Sequence, residues 1–549
     1  MKDKTINVGH VNNEKDNGKR MIRGAMILAV AGLLSKLIGA AFKIPLTNII
    51  GAEGFSYYGV AYPVYQFFYV ISTAGFPVAI ARMVSKRVAK GDYANAKKAF
   101  ILASKVIAVI CFMSFLICFF GAGAIARAYK NPGAEASIRA LSLALLFVAI
   151  AAPLRGLFQG LQTMTPIGIS NIVEQLIRTI VGLALALIFC TRSLELAAAG
   201  ATFGASSGMI AAAILLILYY MKDSAERKNA VRMSIKVEET ERDRIKELLY
   251  IVIPVTIGSS VMPIMMNVDA AVVMRRLQAS GWTAKNARTL YGLISGYCDP
   301  IANLPIVFID ALSISLMPAV TIAYSLNQKH EIGKAIQIGL KSMMIIVYPC
   351  TTGLIILAGP ILHMLFRTKP EEAELAITTL QILSLGIVSL AVMRILTSCL
   401  QGIGRMASPV INLSIGALCK VIITYFLVGI PNININGAAL GTVAAYSIAA
   451  ILNYRCLRRR AEIKVPLMEA LLKPLIPSLI MGLTVFVVFC MINFASGNNT
   501  LSTCLSIIVA IIEYFILIFI TGVVTEDDIE MIPRGKRIKE IAAKMNLIK

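Results

Sequence analysis

Histidine is nearly missing from this chain: His10, His330 and His363 are the only three in 549 residues. None lies deep inside a long apolar run, so neither an embedded imidazole acid–base pair nor a Cys/His metal site can be drawn. The ten cysteines include no CxxC pair, and Cys111, Cys118, Cys190, Cys490 and Cys504 sit inside apolar runs as small buried hydrophobes do. No GxxxxGK[ST] loop is present to cradle a nucleotide phosphate. Charged residues make up 15% of the chain, too few for several soluble domains. Together these absences argue against an ATP-driven pump, a metalloenzyme and a membrane acyl- or glycosyltransferase. The expectation is a protein that is not an enzyme and carries no cofactor, apart from a coupling Na+ or H+.

What fills the sequence is apolar length. Hydrophobic residues are 57% of the chain and mean hydropathy is +0.76. Runs of about 20 apolar residues, each long enough to cross a bilayer, recur until roughly fourteen spans can be drawn. Lipid offers no partner for a free backbone group, and the runs are too long for barrel strands, so the predicted fold is an all-α polytopic membrane protein. The net charge of +23 gathers in alternate short loops, which places both termini in the cytoplasm and speaks against nucleic acid. The first run exceeds a signal-peptide core and reads as a retained helix in a multi-pass protein of the cell membrane.

The chain also repeats itself. Gln159-Gly160-Leu161-Gln162-Thr163-Met164 matches Gln401-Gly402-Ile403-Gly404-Arg405-Met406, and Arg178 corresponds to Lys420 at the same offset. Gly200-Ala201-Thr202-Phe203-Gly204 is echoed by Gly437-Ala438-Ala439-Leu440-Gly441. The organisation expected is a tail 1–22, a six-helix lobe 23–221, a charged linker 222–246, a second six-helix lobe 247–458, a further helix pair 470–524 and a tail 525–549. Parallel repeats of this kind suit rocking about a central site. Pro254, Pro263, Pro300, Pro305 and Pro318 crowd spans seven and eight, which makes these spans the expected bending elements.

Ionisable residues inside spans are costly and mark function: a lysine near mid-span costs about 2.5 to 3.5 kcal/mol on insertion scales. Lys36 and Lys43 both lie in the first span, 24–51, and their seven-residue spacing returns them to nearly one face. Arg394 and Lys420 belong to neighbouring spans of the second lobe, with no acid in those spans to neutralise them. An unpaired basic face in a cavity attracts anions, phosphates above all. Arg178 is a further candidate, although Glu174 four residues earlier can pair with it. Arg275 and Arg276, with Lys285 and Arg288, break the loop charge rule and form either a basic mouth or a misdrawn boundary; Trp282 shares that loop as an interface anchor. Asp269 and Glu174 are the candidates for ion coupling.

A family resemblance rests on Gly32-Leu33-Leu34-Ser35-Lys36-Leu37-Ile38-Gly39, on Ile50-Gly51-Ala52-Glu53-Gly54-Phe55-Ser56, on Gly75-Phe76-Pro77-Val78-Ala79-Ile80-Ala81-Arg82, and on Gln159-Gly160 with Pro166. These resemble the stage V sporulation protein B and MurJ-like lipid II flippase family, in the polysaccharide-exporter branch of the multidrug/oligosaccharidyl-lipid/polysaccharide superfamily. The resemblance covers nearly the whole chain. It implies a two-lobed, V-shaped carrier that moves an undecaprenyl-pyrophosphate-linked saccharide between leaflets, with the final helix pair forming a groove for the lipid tail. Cell-wall synthesis machinery would be its partner. Ser35-Lys36-Leu37-Ile38-Gly39 matches the family's serine-arginine-x-x-glycine stretch with lysine for arginine, which makes Lys36 the first pyrophosphate contact. The next family arginine has only Lys43 near its place, and span two, Tyr57 to Ala81, has no cation. Other readings are a flippase for a capsular or similar repeat unit, a cation-coupled multidrug exporter, for which the first span lacks an acid, and a sporulation factor that transports nothing.

Overall fold

The computed structural model describes residues 14–235, 238–460 and 467–524; residues 1–13 of the first tail and 525–549 lie outside the described residues. The described chain is helical throughout. The first lobe consists of α1 (Glu14–Thr73), α2 (Phe76–Val88), α3 (Tyr93–Ala128), α4 (Glu135–Gly160), α5 (Thr165–Phe189) and α6 (Leu194–Lys222). The linker contributes α7 (Ser224–Arg232). The second lobe runs through α8 (Glu241–Ala279), α9 (Ala284–Gly292), α10 (Asp299–Ala302), α11 (Ile306–Ser325), α12 (Lys329–Ile356), α13 (Ala358–Leu365), α14 (Pro370–Gly402), α15 (Ala407–Val428) and α16 (Asn436–Arg460). After α17 (Leu467–Leu472) come α18 (Leu475–Ser496) and α19 (Asn499–Ile520).

Thirteen helices among the described residues are long and apolar enough to cross a membrane. One of them, at the start, is long enough for two crossings, so the number of crossings agrees with the fourteen expected. The first two crossings follow each other without a loop in α1, bent at Gly51, whose φ of 65° is a left-handed value that glycine tolerates, and a short break at Ala74–Gly75 precedes α2. The principal bend is therefore a glycine in the first span rather than a proline. Spans seven and eight behave differently from each other: α8 stays one helix through Pro254 and Pro263, whereas span eight breaks into a π-turn at Leu293–Cys298 and a gap between α10 and α11 beside Pro305.

The internal repeat is visible in the backbone. Gln162 and Gly404 both have positive φ, and the turns around them use the same bonds: Gln162 N–H to Gln159 O and Thr163 N–H to Phe158 O in one, Gly404 N–H to Gln401 O and Arg405 N–H to Leu400 O in the other. These close the C-termini of α4 and α14 alike. The glycine echo has a packing reason. A Cβ at Gly204 would lie 2.5 Å from Arg178 O, and one at Gly441 would lie 3.2 Å from Lys420 O, so each glycine seats its helix against the neighbour that carries the intramembrane cation.

The two lobes meet at the end away from the linker, and α2 also packs on α8 at the linker end, where Gly75 lies against Val252. One apolar core at the end away from the linker joins Phe55 and Tyr57 of the first lobe to Leu293, Tyr297, Phe366 and Val428 of the second. α18 and α19 pack outside this body, with Met481, Val485, Tyr514 and Phe519 closing around Leu357. At the linker end α2 is strapped to both the linker and the start of α8. Arg87, buried, holds Glu239 and also Glu247 at 2.7 Å, and Lys86 reaches Glu247 at 3.1 Å. Arg87→Ala leaves two carboxylates without their shared partner; it is expected to cost about 3 kcal/mol and to raise tryptic cleavage within 222–246. Unchanged cleavage would show that the strap is dispensable.

Candidate functional site

Three charged groups converge between the lobes, one from each of three helices. Lys36 of α1 places Nζ 2.6 Å from Asp310 Oδ2 of α11, and Arg394 of α14 places Nε 3.7 Å from Asp310 Oδ1. The lysine side chain is 50% exposed, the arginine 41% and the aspartate 25%, so all three face a space that solvent reaches. Arg394 Nε has no hydrogen-bond partner among the described residues. Two cations share one carboxylate, which leaves the cluster with one uncompensated positive charge. An anion entering it meets two donors, one from each lobe, at distances where unit charges interact by about 4 kcal/mol even at an effective dielectric of 20.

A second cluster is charge-balanced. Lys420 of α15 is bonded to Asp269 of α8, both nearly buried, and Asp299 of α10 lies within the electrostatic reach of Lys43, Lys420 and Asp269. Lys43 is half-buried and forms the first-lobe side of this group. The expectation of unneutralised Arg394 and Lys420 needs correction. Their acids are on α11 and α8, distant in sequence, and neighbouring spans did not contain them.

In the first lobe, Glu174 is bonded not to Arg178 but to Arg155 of α4, at 2.8 Å. Arg178 turns instead to Tyr58, donating Nη2–H to its hydroxyl at 2.6 Å, and lies 5.3 Å from the Tyr62 ring centroid. Arg155 competes successfully because it crosses from a facing helix, whereas an i to i+4 pair along α5 would leave Arg155 without an acid. A tyrosine ladder, Tyr58, Tyr62, Tyr65 and Tyr69, lines this wall with successive centroids 5.9, 6.3 and 5.6 Å apart. The sequence reading passed over that ladder, although its spacing of four, three and four along one helix face signals it. Asp269 and Glu174 each already hold a cationic side chain, so an ion at either position would have to displace a bonded partner.

Arg275 and Arg276 are each tied to a helix end. Arg275 donates to Ala128 O at the end of α3, at 3.0 Å, while Arg276 donates to Tyr425 O near the end of α15, at 2.9 Å. Helix C-termini present unsatisfied carbonyls and negative partial charge, and the two arginines serve one such end in each lobe. Arg288 is bonded to Glu53 at 2.7 Å. Beside it, Glu372 Oε2 of α14 accepts from Ala52 N–H at 2.8 Å and from the Tyr297 hydroxyl at 2.5 Å. These bonds close the end away from the linker. A separate cavity of about 830 Å³, lined by His363, Arg367, Asn498, Thr500 and Cys504, lies between α13 and the α18–α19 turn rather than among the central charges.

An all-helical, two-lobed body with thirteen helices long and apolar enough to cross a membrane among the described residues is the fold of a multi-pass membrane protein. Residues 21–323 match the polysaccharide biosynthesis protein family and 295–426 the MatE family. The chain belongs to the polysaccharide biosynthesis protein family. It is 25% identical to the lipid II flippase MurJ of Bacillus subtilis over 86% of this chain and 89% of that one. It is 26% identical to the uncharacterized membrane protein YabM of the same organism, over 94% and 96% of the two chains. Among solved structures, the lipid II flippase MurJ in an inward closed conformation aligns with TM-score 0.66 at 16% identity, covering 90% of this chain and 98% of that one. A multidrug resistance MATE transporter in an inward-facing conformation aligns with TM-score 0.67 at 16% identity, over 78% and 94%.

Proposed function

We propose that this protein is a flippase for an undecaprenyl-pyrophosphate-linked saccharide, lipid II first among these, and that it works by alternating access in the cell membrane without catalysing a reaction. The observation that carries the reading is Lys36 and Arg394, two half-exposed cations from opposite lobes meeting at one point with a net positive charge. A diphosphate bound there touches both lobes at once, and a ligand that binds the bridged form better than the open one draws the lobes together. In this reading the linker end is the cytoplasmic end, with both termini on that side, and parting α2 from the start of α8 there is what admits cargo to the site. The name of the MurJ relative supports the same cargo class, and the cationic first span speaks against a carrier of cationic drugs.

Complementation tests this. In a Gram-positive host depleted of its lipid II flippase, this chain is expected to restore lipid II to the outer leaflet, and Lys36→Ala is expected to lose at least nine-tenths of that signal, in line with about 1.4 kcal/mol or more of lost diphosphate contact. Correct membrane insertion without rescue would remove lipid II as the cargo. Rescue that is indifferent to Lys36 would remove the site.

A further inference from the structure

A carrier of alternating access must cross back empty, and a cluster of bare cations opposes that step. Closing lobes around Lys36 and Arg394 without cargo would press two like charges into a space losing its water, which is unfavourable unless an anion accompanies them. Asp310 is placed to be that anion. Its two carboxylate oxygens divide between the cations, Oδ2 toward Lys36 and Oδ1 toward Arg394. The Lys36–Asp310 bond also spans the lobes, from α1 to α11, as the cargo diphosphate would.

We propose that Asp310 is a built-in substitute for the cargo diphosphate: it neutralises Lys36 and Arg394 in the empty carrier, bridges the lobes for the return step, and is displaced when a diphosphate binds. This rests on the transport reading above and adds to it a residue that acts on the empty carrier only. A diphosphate carries at least two negative charges against one for the carboxylate and meets two cations, so it displaces Asp310. The released carboxylate, a quarter exposed, turns to water. When the diphosphate departs on the far side, Asp310 falls back between the cations and the lobes can close again.

The consequence separates two modes of transport. Exchange of cargo for cargo never needs the empty carrier to close, whereas net movement does on every cycle. In proteoliposomes with a fluorescent polyprenyl-diphosphate saccharide, Asp310→Asn is expected to lower the ratio of net movement to exchange at least tenfold. The same variant should bind inorganic pyrophosphate several-fold more tightly, because the internal competitor is gone, which also reports that it is folded. Asp310→Glu, keeping the charge, should restore most of the net movement. Equal loss in both modes, no loss in either, or weaker pyrophosphate binding in Asp310→Asn overturns the proposal and leaves the transport reading standing. A parent protein that moves the probe in neither mode and binds no pyrophosphate overturns the transport reading instead, and this proposal with it.

Discussion

Gly292→Ala is expected to hold open the end of the protein away from the linker and to lower transport at least tenfold. A Cβ at Gly292 would sit 1.8 Å from the carbonyl oxygen of Ala52 and 2.5 Å from its carbonyl carbon. Both are backbone atoms of α1 just past the Gly51 bend, so no side-chain rotation relieves the clash. Carbon contacts settle near 3.5 Å, and α9 would have to retreat from α1 by roughly 1.5 Å or more. That retreat separates the surfaces on which the Arg288–Glu53 pair and the bond from Ala52 N–H to Glu372 depend. Cys298, fully buried in the same core, reports the change directly. Maleimide labelling located by mass spectrometry should find Cys298 protected in the parent and reactive in Gly292→Ala. Protection in both, with transport unchanged, would mean that this contact is not where the end seals.

The second large effect is expected from Asp269→Asn. Lys420 is 8% exposed and bonded to Asp269, so neutralising the acid leaves an ammonium group stranded among helices, a change of about 3 to 5 kcal/mol when such a pair is broken from one side. The single variant should melt earlier in detergent by several degrees and yield less folded protein. Asp269→Asn combined with Lys420→Met removes both charges and should recover most of the loss, since burying two matched neutral groups avoids the unpaired charge. If the double variant is no better than the single, the pair is not the reason that Asp269 is needed. Asp299 shares the same neighbourhood and keeps the comparison informative, because it remains as a potential partner for Lys420 in the single variant and thereby sets a lower bound on the effect.

Much of this protein was legible before any coordinates. Apolar run length fixes the spans, because the bilayer imposes one thickness on all of them. The lobe repeat was readable from a few glycine and glutamine positions, since those residues close helix ends and seat helices in both halves. Lys36 stood out because a cation inside a span needs a reason. What escaped the reading was pairing. Asp310 and Lys36 are 274 residues apart, Asp269 and Lys420 are 151, and no local periodicity links helices that meet only through the fold. Glu174 shows the same limit from the other direction: its local neighbour Arg178 was in register, yet Arg155 from a facing helix holds it. Arg275 and Arg276 were legible as exceptions but not as helix-end partners, because the carbonyls they serve carry no sequence signal. Among the spans, the continuity of the first two, joined as one helix bent at Gly51, was not legible in the sequence.

The bond from Ala52 N–H to Glu372 has a bearing on which way the carrier waits. The helix that resumes after Gly51 begins with amides that lack partners of their own, and the acceptor for one of them belongs to the other lobe. Every excursion that parts the lobes at this end uncovers a helix start, a loss of about 1 kcal/mol that charge pairs nearby only enlarge. On the flippase reading proposed above, the empty protein idles with this door shut, and parting the lobes here is the step that bound cargo has to drive.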